Sequence, residues 1–193
     1  MRMLPATRQT LFLILLLGLS GAAHAHPQEW AHLDFASGLG HPLSGLDHLL
    51  AMFAVGLWAA QQGGAALWRV PLSFVLLMAV GGMLAWMGVP LPMLEPGIAA
   101  SVLVLGLLVA LAARLPLPAS LLLVGGFALC HGYAHGAEMA SDISLLRYGL
   151  GVLLATAALH AAGIGCARVL RQSLALRLSG AAIAASGVLL LTA

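Results

Sequence analysis

Two short stretches of this chain hold most of the side chains that could bind or transfer anything. One is Gly40-His41-Pro42-Leu43-Ser44-Gly45-Leu46-Asp47-His48, and the other is Cys130-His131-Gly132-Tyr133-Ala134-His135-Gly136-Ala137-Glu138. On a helix, His131, His135 and Glu138 fall at i, i+4 and i+7, so a single face offers two imidazoles and a carboxylate. Gly132 and Gly136 form a small-xxx-small pair on the adjoining face, which lets a neighbouring helix approach closely. In the first stretch His41 and His48 are seven residues apart, roughly 10 Å along a regular helix, too far to hold one ion together. A helix that begins near Gly45, or is broken there by Pro42 and Gly45, folds His41 back over Asp47 and His48. Discontinuous helices of this kind recur at the ion sites of transporters. Four His with Asp47 and Glu138, and no thiolate among the obvious ligands, suit nickel, cobalt or zinc better than Cu(I), Mg²⁺ or Ca²⁺. Either carboxylate can touch the ion or accept the second N–H of a ligating imidazole, and spacing alone does not choose.

The elements that must position these residues follow from composition. The chain has 193 residues, 62% hydrophobic and 7% charged, with a mean hydropathy of +1.04. A soluble domain carries roughly 25% charged residues, so this chain cannot cover a water-facing surface and is read as a membrane protein. Lys is absent, and 8 Arg against 6 acids leave a net charge of +2, too small and too scattered for nucleic acid. Residues 1–25 read as a cleaved secretory signal peptide: Arg2 and Arg8, an apolar run from Leu11 to Leu19, and the small-x-small site Ala23-His24-Ala25. The alternative is an uncleaved first helix. Residues 26–193 then form one all-α, polytopic bundle of six transmembrane helices, expected at Pro42 to Ala60, Val70 to Val89, Gly97 to Ala113, Leu117 to Met139, Leu145 to Ala167 and Leu174 to Leu191.

Charge placement gives that map an orientation, since basic residues stay on the cytoplasmic side. With His26 starting outside, Arg69, Arg114, Arg168, Arg171 and Arg177 fall inside and only Arg147 falls outside. All the acids, Glu29, Asp34, Asp47, Glu95, Glu138 and Asp142, lie on or near the outer face. Both ends of the mature chain are thus expected in the periplasm, in a bacterial inner membrane. The two His-bearing stretches share the outer half of the bilayer, where they can meet. Cys130 and Cys166 differ in depth by roughly 15–20 Å, too far for a disulfide. His160 lies roughly 22 Å below the outer surface and is either a packing residue, a lower step in a path or a proton carrier. His26 and His32 sit in the amino-terminal segment, as solvated loop residues or as captors of metal before entry. No phosphate-binding loop of the Gly-x-x-x-x-Gly-Lys-Ser/Thr kind is present, so this chain does not hydrolyse ATP, and no ATPase partner is evident.

A His, five residues, then Asp-His in the first mature span, followed by His-Gly-x-Ala-His-x-x-Glu in the fourth, resembles the HupE/UreJ family of nickel and cobalt permeases. The resemblance covers the whole mature chain. It implies uptake of Ni²⁺, sometimes Co²⁺, for hydrogenase or urease, without a prosthetic group. It also implies a metal pathway at His41, Asp47, His48, His131, His135 and Glu138. Two positions depart from the family pattern: Cys130, where Phe is frequent, and Leu43, where Gly commonly follows His-Pro. The second reading is a membrane-embedded zinc hydrolase using the same cluster, with three ligands and an activated water. Against it, Gly132 stands where a zinc-protease motif places Glu.

Overall fold

The computed structural model describes residues 34–140, 143–170 and 173–192. The expected signal peptide over residues 1–25, and His26 and His32, lie outside the described residues. Among those described, the chain is all-helical: α1 (Asp34–Ser44), α2 (Leu46–Gln62), α3 (Ala66–Trp86), α4 (Leu94–Leu111), α5 (Leu117–Ala137), α6 (Leu145–Leu170) and α7 (Leu174–Thr192). Helices α3 to α7 are each long and apolar enough to cross a membrane, whereas α1 and α2 pass that test only as a pair bent by 82°.

That bend corrects the expected first span, which is not one straight helix from Pro42 to Ala60. Its first residues belong to α1, and the break falls at Gly45, whose backbone is extended (φ −92°, ψ 120°). Three local features accompany it. Pro42 lies inside the last turn of α1 and donates no backbone N–H there. The Ser44 hydroxyl donates to the His41 carbonyl at 2.7 Å, drawing the chain end onto itself. A side chain at residue 45 would intrude on the site, its Cβ 2.8 Å from Asp47 Oδ1 and 3.2 Å from His48 Nδ1. Leu49 N–H then donates to the Gly45 carbonyl at 3.0 Å and opens α2. The other stretches lie within a few residues of expectation, except that α6 continues through Arg168 to Leu170.

The helices assemble by close contact at small residues. Helix α3 packs most extensively on α5, α4 on α7, and α6 along both α1 and α2. At the α3–α5 crossing Gly132 faces the Met78 carbonyl and Gly136 the Gly82 carbonyl, each with no room for a Cβ. The expected small-xxx-small contact is therefore present, and α3 is the neighbour it admits. The bundle exposes large apolar side chains on its outer surface and holds several polar groups within an otherwise apolar core. Leu122, Leu146, Leu174 and Leu189 are each at least 70% exposed, while His48, Gln61, Ser101, His131, His135, Thr156 and His160 are buried. Such polarity is stable where lipid surrounds the outer surface and the polar groups face one another. Cys130 and Cys166 are free thiols.

Candidate functional site

The break at Gly45 turns α1 across the end of the bundle, and this places His41 over α5. His41 Nε2 lies 2.7 Å from Glu138 Oε2, a carboxylate distant in sequence that caps the end of α5. The His41 and His135 rings meet edge to face with centroids 5.1 Å apart, His135 meets His48 at 4.5 Å, and His48 meets His131 at 4.8 Å. The two stretches singled out in the sequence therefore form one cluster of four imidazoles and two carboxylates. Access decreases inward: the His41 side chain is 29% exposed and that of His48 is 9%, whereas residues His135 and His131 retain 3% and 0%.

Hydrogen bonding decides which nitrogen lone pairs are available. A carboxylate only accepts, so the contact of Asp47 Oδ1 with His48 Nδ1 at 2.8 Å puts the ring hydrogen on Nδ1. The same oxygen accepts from His48 backbone N–H at 2.7 Å. His48 Nε2 thus carries a lone pair, and it is buried with no partner. Ser101, on α4, acts on His131 in a parallel way. Its hydroxyl donates its one hydrogen to the Ile98 carbonyl at 2.6 Å, so at 2.8 Å it accepts from His131 Nε2–H. His131 Nδ1 is left with its lone pair, buried and unpartnered. Both nitrogens of His135 are likewise without a partner. Buried imidazole nitrogens in this state are costly unless something fills them.

The rings meet edge to face or tilted, and among the described residues no group of three or more His, Cys, Asp or Glu is set to hold a single ion. What the cluster offers is a graded series of imidazole nitrogens. It starts at a half-exposed carboxylate, Glu138, and ends at a fully buried ring. Asp47 also lines an open pocket of about 210 Å³ with Glu95, Pro96, Ile98 and Ala99. Both carboxylates of the cluster face histidines, the arrangement that fixes tautomer and raises imidazole basicity toward a metal.

Two neighbours of the cluster were not legible in the sequence. Ser101 lies in an apolar run where a lone hydroxyl usually bonds its own helix, and only the approach of α5 to α4 gives it a second partner. The Tyr148 ring lies 5.9 Å from that of His41, with its buried hydroxyl unpartnered. Its only sequence signal was a Tyr in an otherwise apolar span. His160 lies apart from the four-histidine cluster on α6. It is linked to it through Phe74, whose ring is 5.8 Å from His131 and 5.2 Å from His160.

The architecture is that of a multi-pass helical membrane protein with a histidine–carboxylate cluster at one end of the bundle. The chain belongs to the HupE/UreJ family: the family model described as "HupE / UreJ protein" matches residues 14–190. It is 46% identical over 178 residues to Protein HupE of Rhizobium leguminosarum bv. viciae, covering 91% of this chain and 93% of that protein. No solved structure matches the chain. Membership supports a membrane protein related to nickel and cobalt transport, and not an enzyme, which sets the zinc-hydrolase reading aside.

Proposed function

We propose that this protein is a secondary permease of the bacterial inner membrane that imports Ni²⁺, and Co²⁺ through the same ligands, to supply hydrogenase or urease maturation. The observation that carries the reading is the set of buried, unpartnered nitrogens on His48, His131 and His135, reached from the exposed His41–Glu138 pair. An ion arriving from the periplasm meets Glu138 and His41 first, exchanges water for imidazole nitrogens, and moves inward past His135 and His48 to His131. Asp47, Glu138 and Ser101 hold the rings so that a lone pair, and not an N–H, faces the ion. A set of imidazole nitrogens favours borderline transition ions over Mg²⁺ and Ca²⁺, which seek oxygen. A divalent cation entering a negative-inside cell gains roughly 4–5 kcal/mol per 100 mV, enough to drive uptake without ATP.

The Arg asymmetry supports periplasmic ends for the mature chain, with its metal cluster at the periplasmic face. Uptake of labelled nickel at trace concentration, with cobalt and zinc as competitors, tests the reading. Single Ala replacements of His41, Asp47, His131 and Glu138 are expected each to lower uptake at least tenfold while membrane levels of the protein stay near normal. Normal uptake in two or more of these variants would overturn a shared pathway.

A further inference from the structure

Below the histidine cluster the bundle holds a second group of lone pairs. Thr156 on α6 is fully buried, and three acceptors surround its hydroxyl: the Val152 carbonyl at 2.9 Å, Met52 Sδ at 3.2 Å and Met78 Sδ at 3.7 Å. A hydroxyl has one hydrogen, and the closest and strongest acceptor is the carbonyl of its own helix. Two thioether sulfurs on different helices therefore face an oxygen that has no hydrogen left to give them. One helical turn further along α6, roughly 6 Å, is His160, whose residue is 2% exposed and whose two ring nitrogens have no partner. The contact of Gly56 with the His160 carbonyl places α2 against α6 at that level, one turn below Met52.

An apolar core explains each of these residues singly, since Met fills gaps and a lone His can pack. It does not explain why two thioether sulfurs meet at a hydroxyl whose hydrogen is already engaged, one helical turn from an imidazole with no hydrogen-bond partner, a grouping whose free lone pairs attract a cation. We propose that Met52, Met78, Thr156 and His160 form a second station, within the bundle, for a partly dehydrated borderline divalent ion such as Ni²⁺. This rests on the permease reading above and deepens it. Thioether sulfur and imidazole nitrogen accept such an ion and discriminate against Mg²⁺ and Ca²⁺. None of the four ligands is an acid, and the acids of the described residues sit elsewhere: Asp47 and Glu138 contact the histidine cluster, Glu95 lines a pocket with Asp47, and Asp34 accepts from Ser144 N–H. Binding therefore weakens inward, as conduction requires of a site that must release its ion.

The test compares wild type, Met52→Leu/Met78→Leu and His160→Phe, since Met to Leu conserves volume and Phe keeps the ring. Initial rates of labelled Ni²⁺ uptake are measured over a range of concentrations and normalised to protein in the membrane. Both variants should show a maximal rate at least tenfold lower, with the half-saturating concentration changed less than threefold, because capture at the outer cluster is untouched. The single Met variants should fall between, and stand in for the double variant if it does not accumulate. A maximal rate equal to wild type in Met52→Leu/Met78→Leu, or a change confined to half-saturation, overturns the station while leaving the permease intact. Loss in His160→Phe with wild-type rates in the Met variants also overturns it, because His160 then acts without the sulfurs. Absence of saturable nickel uptake in wild type defeats the permease reading itself.

Discussion

The two ends of α2 are built on opposite plans. At its Gln62 end the polar side chains are clamped to the connection between α4 and α5. Trp58 Nε1–H donates to the Ala113 carbonyl at 2.8 Å and Gln61 Nε2–H to the Val109 carbonyl at 3.0 Å. Gln62 accepts from Leu115 N–H at 3.1 Å and donates to Ser120 Oγ at 2.8 Å. Only Gln61 Oε1 is left bare there. These side chains cap the carbonyls at the end of α4, where Ala112 takes a left-handed conformation (φ 50°), and so they hold a turn that the backbone alone would not favour. At the Gly45 end the helix is broken, and His48 with its neighbours His131 and His135 leaves four ring nitrogens unpartnered. One end spends its polar groups on stability; the other withholds them. The difference teaches where selection for a rigid frame stops and a path for a cargo begins.

The sharpest way to break that contrast is at the clamped end. Trp58→Ala removes a fully buried ring and a hydrogen bond together, and should lower unfolding stability by about 3–5 kcal/mol, read as a large fall in the thermal midpoint of the detergent-solubilised protein. A small fall would mean that the clamp is ornamental. At the open end the sign should reverse. His135→Leu removes two buried, unpartnered nitrogens from a site where they have no partner, and should raise stability by about 1–3 kcal/mol while trace-nickel uptake is lost. A destabilised His135→Leu protein would show that the ring is structural. The smallest effect belongs to Ser101, argued to act only by orienting His131. Ser101→Ala should leave the thermal midpoint within a few degrees and raise the half-saturating nickel concentration about tenfold, the usual scale for a lost hydrogen bond behind a metal-binding imidazole. A lowered midpoint with unchanged half-saturation would make Ser101 a packing residue.

Much of this was legible from the residues in order. Apolar runs bounded by Gly, Pro and Arg located the helices, because a span must satisfy its own backbone and a turn must not. Spacing placed His131, His135 and Glu138 on one face, and Pro42 with Gly45 marked where a helix could break. The partners of those residues were not legible. Ser101 and Tyr148 looked like ordinary occupants of apolar spans, and nothing local said that Met52 and Met78, on different helices, would aim sulfurs at the hydroxyl of Thr156.

The sequence by itself determined that the chain is helical, lives in a membrane and bears two histidine–carboxylate stretches. Those properties follow from composition and from the 3.6-residue period, which are carried by near neighbours. Tertiary structure alone decided that α1 turns by 82° to bring His41 onto Glu138, and that Gly132 and Gly136 bring α3 against α5. It also decided which ring nitrogens are bound and which are bare. A nitrogen's lone pair is free or engaged only by virtue of what a distant helix sets beside it, and the distance between helices is fixed by packing, not by spacing along the chain.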